Sequence, residues 1–263
     1  MGIAADITDD WHASLAALAW QVDAGVDEVI GDAPVNRYDL AAEAPKAAAS
    51  RSPAQPVAEP DASADPVAVA KALAAQAGTL EDLREALQGY DHCELKRGAR
   101  NTVFADGNPE ARVLILGEAP GREEDLEGRP FVGRAGQLLD RMFAAIGLSR
   151  TSPDTRTALY ITNVMPWRPP ANRDPDPAEI AMMQPFVERH IALVDPDMIV
   201  VMGNTPLMAL TGAKGILRAR GNWTQALGKP VLPMTHPAYL LRTPVAKREA
   251  WADLLALQGR LRG

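Results

Sequence analysis

Apolar positions change their period twice along this 263-residue chain. Over residues 9–31, Trp11, Leu15, Leu18, Val22, Val26 and Ile30 recur at three- and four-residue spacing. That spacing predicts one amphipathic helix, capped by Asp9 or Asp10 and stopped at Gly31. Residues 41–66 then carry almost no large apolar side chain but hold Pro45, Pro53, Pro56, Pro60 and Pro66. Such a stretch buries too little surface to fold, so a flexible linker is expected. Two short helices are predicted near 66–77 and 79–89, the second opened by the capping-box-like Thr79-Leu-Glu-Asp82.

From about residue 110, short apolar runs alternate with helical periods. Residues 113–116, 159–162, 198–202 and 231–234 read as strands, the last weakened by Pro233. A helix over 134–146 presents Leu138, Leu139, Met142, Phe143 and Ile146 on one side. Another starts at Asp176-Pro177 with Ile180, Met183, Val187 and Ile191 inward; Asn204 caps a third, and a last one spans 244–258. Apolar strands separated by helices predict an α/β fold, a three-layer α/β/α sandwich around a short, mostly parallel four-stranded sheet. The expected organisation is an N-terminal helical appendage over 1–40, a linker over 41–66 and a catalytic domain over 67–263.

Composition narrows the class. With 47% hydrophobic and 23% charged residues the chain is ordinary globular material. It has no apolar run of the ~18 residues that a membrane helix needs, and its acidic start does not resemble a secretory signal. One cysteine, Cys93, allows neither an internal disulfide nor a thiolate cage for a metal. A reduced, cytoplasmic, monomeric protein with no membrane contact is expected. The net charge of −7 is uneven: residues 1–66 hold 12 acidic and three basic residues, whereas residues 214–263 hold nine Lys and Arg against Glu249 and Asp253. A basic C-terminal fifth suits either an anionic partner or a plain solvated face.

In parallel α/β sheets, ligands sit beyond the carboxyl ends of the strands. Those ends read Gly117-Glu-Ala-Pro-Gly121, Asn163, Gly203-Asn204 and Thr235-His-Pro237. Singly, Glu118 is an ordinary cap, Asn163 a turn former and His236 a structural histidine. Together they put a carboxylate, an amide and an imidazole on one edge. The glycine-rich Gly128-Arg-Pro-Phe-Val-Gly-Arg-Ala-Gly136 offers backbone N–H groups to an anion. Phe131 there is either a stacking platform or local packing.

Gly117-Glu-Ala-Pro-Gly-Arg-Glu-Glu-Asp125, Pro130-Phe-Val-Gly-Arg-Ala-Gly136, Thr162-Asn-Val164 with Arg168-Pro-Pro-Ala-Asn-Arg173, and Thr235-His-Pro-Ala-Tyr-Leu-Leu-Arg242 occur in this order. The set resembles the motifs of family 4 uracil-DNA glycosylases over roughly residues 85–258. The resemblance implies Glu118 and His236 as catalytic groups, one orienting water and the other bonding uracil O2. It implies Ala119, Gly121, Phe131 and Asn163 as substrate-binding, with Phe131 stacking on the flipped base and Asn163 reading its edge. Gly133, Arg134, Tyr239, Leu240, Leu241 and Arg242 would contact DNA, with Leu240 or Leu241 filling the vacated stack. Arg220, Arg242, Lys247 and Arg248 are the expected phosphate contacts. The family's 4Fe–4S cluster needs four thiolates, yet here Tyr90, Trp167 and Met183 stand where cysteines would and only Cys93 remains. No cofactor and no metal are therefore expected.

Relatives of the resembled family that become covalently trapped on DNA carry a nucleophilic histidine in the loop 168–173; here that loop has none, so the resemblance implies simple hydrolysis. The expected function is a monofunctional uracil-DNA glycosylase of base excision repair, acting on uracil-containing DNA. A slow or non-catalytic binder of uracil or abasic DNA, and an unrelated nucleotide-binding α/β protein, are the alternatives. The helix at 9–31 is expected to dock on the catalytic domain or on a protein partner, the long linker favouring the partner.

Overall fold

The strands between residues 105 and 234 explain the architecture, because each parallel one is buried on both faces. The computed structural model describes residues 65–262, together with Leu15. The expected helix at 9–31 and nearly all of the expected linker lie outside them. The chain enters through α1 (Pro66–Gln76), α2 (Leu80–Gly89) and the single turn α3 (Leu95–Gly98). Asp65 caps α1, and the Thr79–Asp82 capping box opens α2 as its sequence predicts. Strands β1 (Ala105–Gly107) and β2 (Val113–Gly117) follow, then α4 (Arg122–Glu127) and α5 (Arg134–Ala144). Next come β3 (Leu159–Asn163), α6 (Pro177–Val194), β4 (Met198–Met202), α7 (Asn204–Thr211) and the turn α8 (Ile216–Ala219). Strands β5 (Thr224–Ala226) and β6 (Lys229–Met234), then α9 (Pro237–Arg242) and α10 (Lys247–Arg262), complete the described chain.

The sheet has six strands rather than four, in the order β1-β3-β2-β4-β6-β5. The four expected strands form its parallel centre. The other two, β1 and β5, are three-residue antiparallel edges. Partly exposed and too short for an apolar alternation, they leave no periodic signal in the sequence. Alternate strand residues feed two cores. Leu114, Leu116, Ile199 and Val201 face Leu83 of α2 and Ile180, Met183 and Val187 of α6. Val113, Ile115, Val200 and Leu232 face Leu139 and Phe143 of α5 and Leu254 and Leu257 of α10. The three layers are as predicted.

Helix boundaries differ where capping does. Asn204 does not cap α7; Gly203 does, and the Asn204 amide oxygen accepts from the N–H of Gly215 (3.3 Å) and of Ile216 (2.8 Å), starting α8 instead. Helix α4, acidic and without apolar periodicity, is an element that the hydrophobic pattern misses. Among the described residues, no helix is long and apolar enough to cross a membrane.

One buried titratable pair sits in the core. His190 of α6 stacks on Phe104 (centroids 4.5 Å apart) and shares a 2.8 Å hydrogen bond with the Tyr160 hydroxyl. Burial pulls the His190 pKa from 6.5 down to about 3, so the imidazole is neutral in the fold. The unfolded chain then binds a proton that the folded chain refuses between pH 6.5 and about 3. Unfolding free energy is therefore expected to drop as the pH is lowered across that window, by up to about 1.4 kcal/mol per unit from this group. Urea unfolding at pH 4, 5, 6 and 7 measures the slope. His190→Gln keeps a partner for Tyr160 but cannot titrate there, and is expected to make the slope shallower, leaving the share of His236, whose pKa burial also lowers.

Candidate active site

The carboxyl ends of β2, β3, β4 and β6 open on one cleft of about 920 Å³. Register creates it: Gly117 pairs with Asn163 across β2 and β3, so the Asn163 side chain stands beside the end of the central strand. A Cβ on Gly117 would lie 2.2 Å from Asn163 Oδ1 and 2.5 Å from the Phe131 ring. Contacts that short do not occur, so any side chain at 117 would displace the Asn163 amide and the Phe131 ring. Phe131 is buried, its ring packed against His236 with centroids 5.4 Å apart and planes tilted by 29°. Its backbone is left-handed, with φ of 54°, a conformation uncommon outside glycine.

Glu118 projects from the end of β2 and accepts the Thr205 hydroxyl at 2.5 Å. Burial pushes its carboxyl above the ordinary range, and Asp174 adds to that; the Thr205 hydrogen bond opposes both. His236 caps α9, its Nδ1 accepting the Ala238 N–H at 3.1 Å. An accepting Nδ1 puts the ring proton on Nε2. Burial first, and then the charge of Arg242, lower the His236 pKa to about 4, so the ring is neutral at physiological pH. Asn163 Oδ1 and Thr235 Oγ1 are buried with no hydrogen-bond partner among the described residues. Orphaned polar atoms are rare in folded interiors, and both residues line this cleft.

Glu118, Ala119, Gly121, Phe131, Asn163 and His236 are thus brought together. Arg134, Tyr239, Leu241 and Arg242 line the same cleft. Three expectations need correction. Leu240 is 1% exposed and packs on Leu138, Ala246 and Ala250, so it cannot enter a duplex; Leu241 faces the cleft. Gly133 lines the cleft without a free N–H, because its amide and that of Val132 donate to the Glu124 carboxylate at 2.9 and 3.0 Å. The glycine-rich loop is held by an internal anion.

Arg220 is committed too. Its Nε donates to Asp253 at 2.9 Å, its Nη2 also meets that carboxylate, and Asp253 is 2% exposed. Stripping a buried carboxylate of its partner costs about 3–5 kcal/mol, more than the ~1.5–3 kcal/mol that a hydrogen bond to a charged group returns. Lys247, Arg248 and Arg242 are exposed and remain available. Thr205 and Leu217 are cleft residues that the sequence reading missed. Thr205 lies three residues past the end of β4, at the same edge as the others, and that position was its only signal.

A family model of the uracil DNA glycosylase superfamily matches residues 104–255. The chain belongs to that superfamily. It is 40% identical over 166 residues to a type-4 uracil-DNA glycosylase of Thermotoga maritima, covering 62% of this chain and 83% of that protein. An Archaeoglobus fulgidus type-4 uracil-DNA glycosylase is 34% identical over 186 residues, covering 66% and 89%. A type-5 uracil-DNA glycosylase of Thermus thermophilus is 31% identical over 123 residues, covering 43% and 55%.

The contact at Gly117 gives the superfamily site a direct test. Gly117→Ala is expected to fold, with a circular dichroism spectrum like wild type, but to lose on the order of 100-fold in glycosylase rate. The reason is that the ring and the amide must both move, and misplacement by ~1 Å costs about that much. A variant with wild-type turnover would show that neither position matters.

Proposed function

We infer that this chain is a monofunctional uracil-DNA glycosylase that hydrolyses the N-glycosidic bond of deoxyuridine in DNA and leaves an abasic site. One observation carries the reading of the site: in a chain of this superfamily, Glu118, Phe131, Asn163 and His236 converge in one cleft at the strand ends. A base within a duplex is out of reach, so it is flipped, at a cost of a few kcal/mol. Phe131 supplies the stacking face for the extruded uracil. The Asn163 amide, unpaired at Oδ1 among the described residues, reads its polar edge. Leu241 fills the vacated stack, and Arg134, Tyr239, Arg242, Lys247 and Arg248 hold the backbone. Such binding weakens with salt as phosphate contacts release counterions.

Bond cleavage puts positive charge on the sugar and negative charge on the departing uracil. Glu118 orients the attacking water and faces the sugar's developing charge. His236, neutral with its proton on Nε2, donates to uracil O2 as that oxygen gains charge. A preorganised donor of this kind is worth about 2.7–4 kcal/mol. The enzyme acts as a monomer. All cleft residues fall between Glu118 and Arg242, within the proposed catalytic domain of residues 67–263, and 1–66 is proposed to be dispensable for the chemistry.

Glu118→Ala and Asn163→Ala are expected to fold and lose most single-turnover cleavage of a uracil duplex; wild-type rates in both would sink the assignment. Thr205→Val removes the hydrogen bond that lowers the Glu118 pKa. The acid limb of the rate profile is therefore expected to move to higher pH, and Thr205→Ser to leave it in place.

The residues present do not fit the iron–sulfur cluster that the family 4 resemblance implies. The chain has one cysteine, and among the described residues no group of three or more His, Cys, Asp or Glu could hold a metal ion. Tyr90, Trp167 and Met183 are fully buried in the same apolar core as Cys93. Tyr90 donates to the Pro66 carbonyl at 2.9 Å and packs edge-on against Phe186, and Trp167 Nε1 donates to the Thr102 hydroxyl at 3.1 Å. Burial pushes the Cys93 thiol up, which leaves it unreactive. Purified enzyme is expected to lack stoichiometric iron and sulfide and to keep full activity with a chelator. Iron that co-purifies in proportion to activity would overturn this.

A further inference from the structure

Arg150 lies outside every motif quoted above, in the connection between α5 and β3. Its charged side chain is only 9% exposed. Its Nε donates to Asp140 of α5 at 2.9 Å and its Nη1 to Asp106 of β1 at 3.0 Å. The same guanidinium donates to two backbone carbonyls, Pro130 at 2.8 Å through Nη1 and Phe131 at 2.9 Å through Nη2. The two carboxylates hold the fork in place, and the fork holds the loop.

The loop needs holding. Phe131 has a φ of 54°, and its backbone lies so close to Gly136 of α5 that no side chain fits there. A Cβ on Gly136 would fall 1.8 Å from the Phe131 carbonyl oxygen. A strained residue persists when its surroundings over-determine it, and here Gly136 and Arg150 meet at one carbonyl group. The ring beyond that backbone fills the space between Gly117, Asn163 and His236. We propose that Arg150 is a positioning residue for catalysis, clamping the Pro130 and Phe131 carbonyls so that the Phe131 ring stays in register with the base. This rests on the reading of Phe131 as the uracil platform.

Lysine keeps the charge but is a point donor that cannot span four acceptors in a fixed fork. The test is a double-mutant cycle of Arg150→Lys and Phe131→Ala, read by single-turnover cleavage of a uracil duplex, inhibition by free uracil, and melting temperature. Arg150→Lys is expected to melt near wild type, to cleave about 10- to 100-fold more slowly, and to need correspondingly more uracil for inhibition. In the Phe131→Ala background the same change is expected to add less than about twofold, since the two act through one element. Equal losses in both backgrounds, or unchanged cleavage and inhibition in Arg150→Lys alone, would overturn the clamp while leaving the platform intact. Wild-type behaviour of Phe131→Ala would overturn the platform reading and the clamp with it. If Arg150→Lys does not fold, Asp140→Asn weakens the fork from its exposed side, and its loss of rate must again vanish in the Phe131→Ala background.

Discussion

Gly117 ends the central strand with no side chain, and the site is arranged around the space this leaves. The strand ladder does not stop there: Val164 donates to the Gly117 carbonyl and Met165 to that of Glu118, each at 2.9 Å. Those bonds carry the β2–β3 register past the strands and fix Asn163 beside Gly117. The Phe131 ring then occupies the volume that a Cβ would have taken. Backbone register, a missing methyl group and one aromatic side chain together set the width of the slot.

Burial in that slot acts on Glu118 and His236 alike against their charged forms. It raises Glu118 and lowers His236, as desolvation does to any acid and base. The consequences differ because the roles proposed for the two groups differ. A neutral imidazole is the useful form for donating to a leaving group that becomes an anion, so for His236 burial and function agree. A carboxylate facing a cationic sugar must be ionised, so for Glu118 they conflict. The Thr205 hydroxyl opposes burial there. Glu124, also buried, is treated more generously, with N–H donors from Gly121, Val132 and Gly133. It spends its charge on loop shape rather than chemistry.

Much of this is legible in the sequence because the parallel strands are short, mostly apolar runs that reach Gly117, Asn163, Gly203 and Thr235 at their carboxyl ends. Glu118, Asn163 and His236 stand at those ends. What was not legible depends on contacts distant in sequence. The edge strands β1 and β5 owe their existence to a neighbour's free backbone groups, not to their own side chains. Leu240 and Leu241 are adjacent and alike in the sequence; only the packing of α9 on Leu138 decides which one faces the cleft. Arg220 looks like a phosphate ligand until Asp253, 33 residues away, is seen buried beneath it.

The core beneath the site also determines where Asn163 can be. The four residues after it, Val164 to Trp167, are all buried, and the segment is tied at its far end by Val103 donating to the Pro166 carbonyl at 2.8 Å. Trp167, held by its indole N–H to Thr102, fills the apolar core with Tyr90, Met183 and Cys93. A cluster bound by four thiolates would tie such a segment through one covalent ligand. Here side-chain volume and two hydrogen bonds take that role. Packing resists displacement over the whole contact area instead of at one atom, because every methylene removed from a close-packed interior leaves unfilled space. Asn163 is therefore pinned from β3 on one side and from the Trp167 anchor on the other, without a metal ligand being needed in this part of the chain.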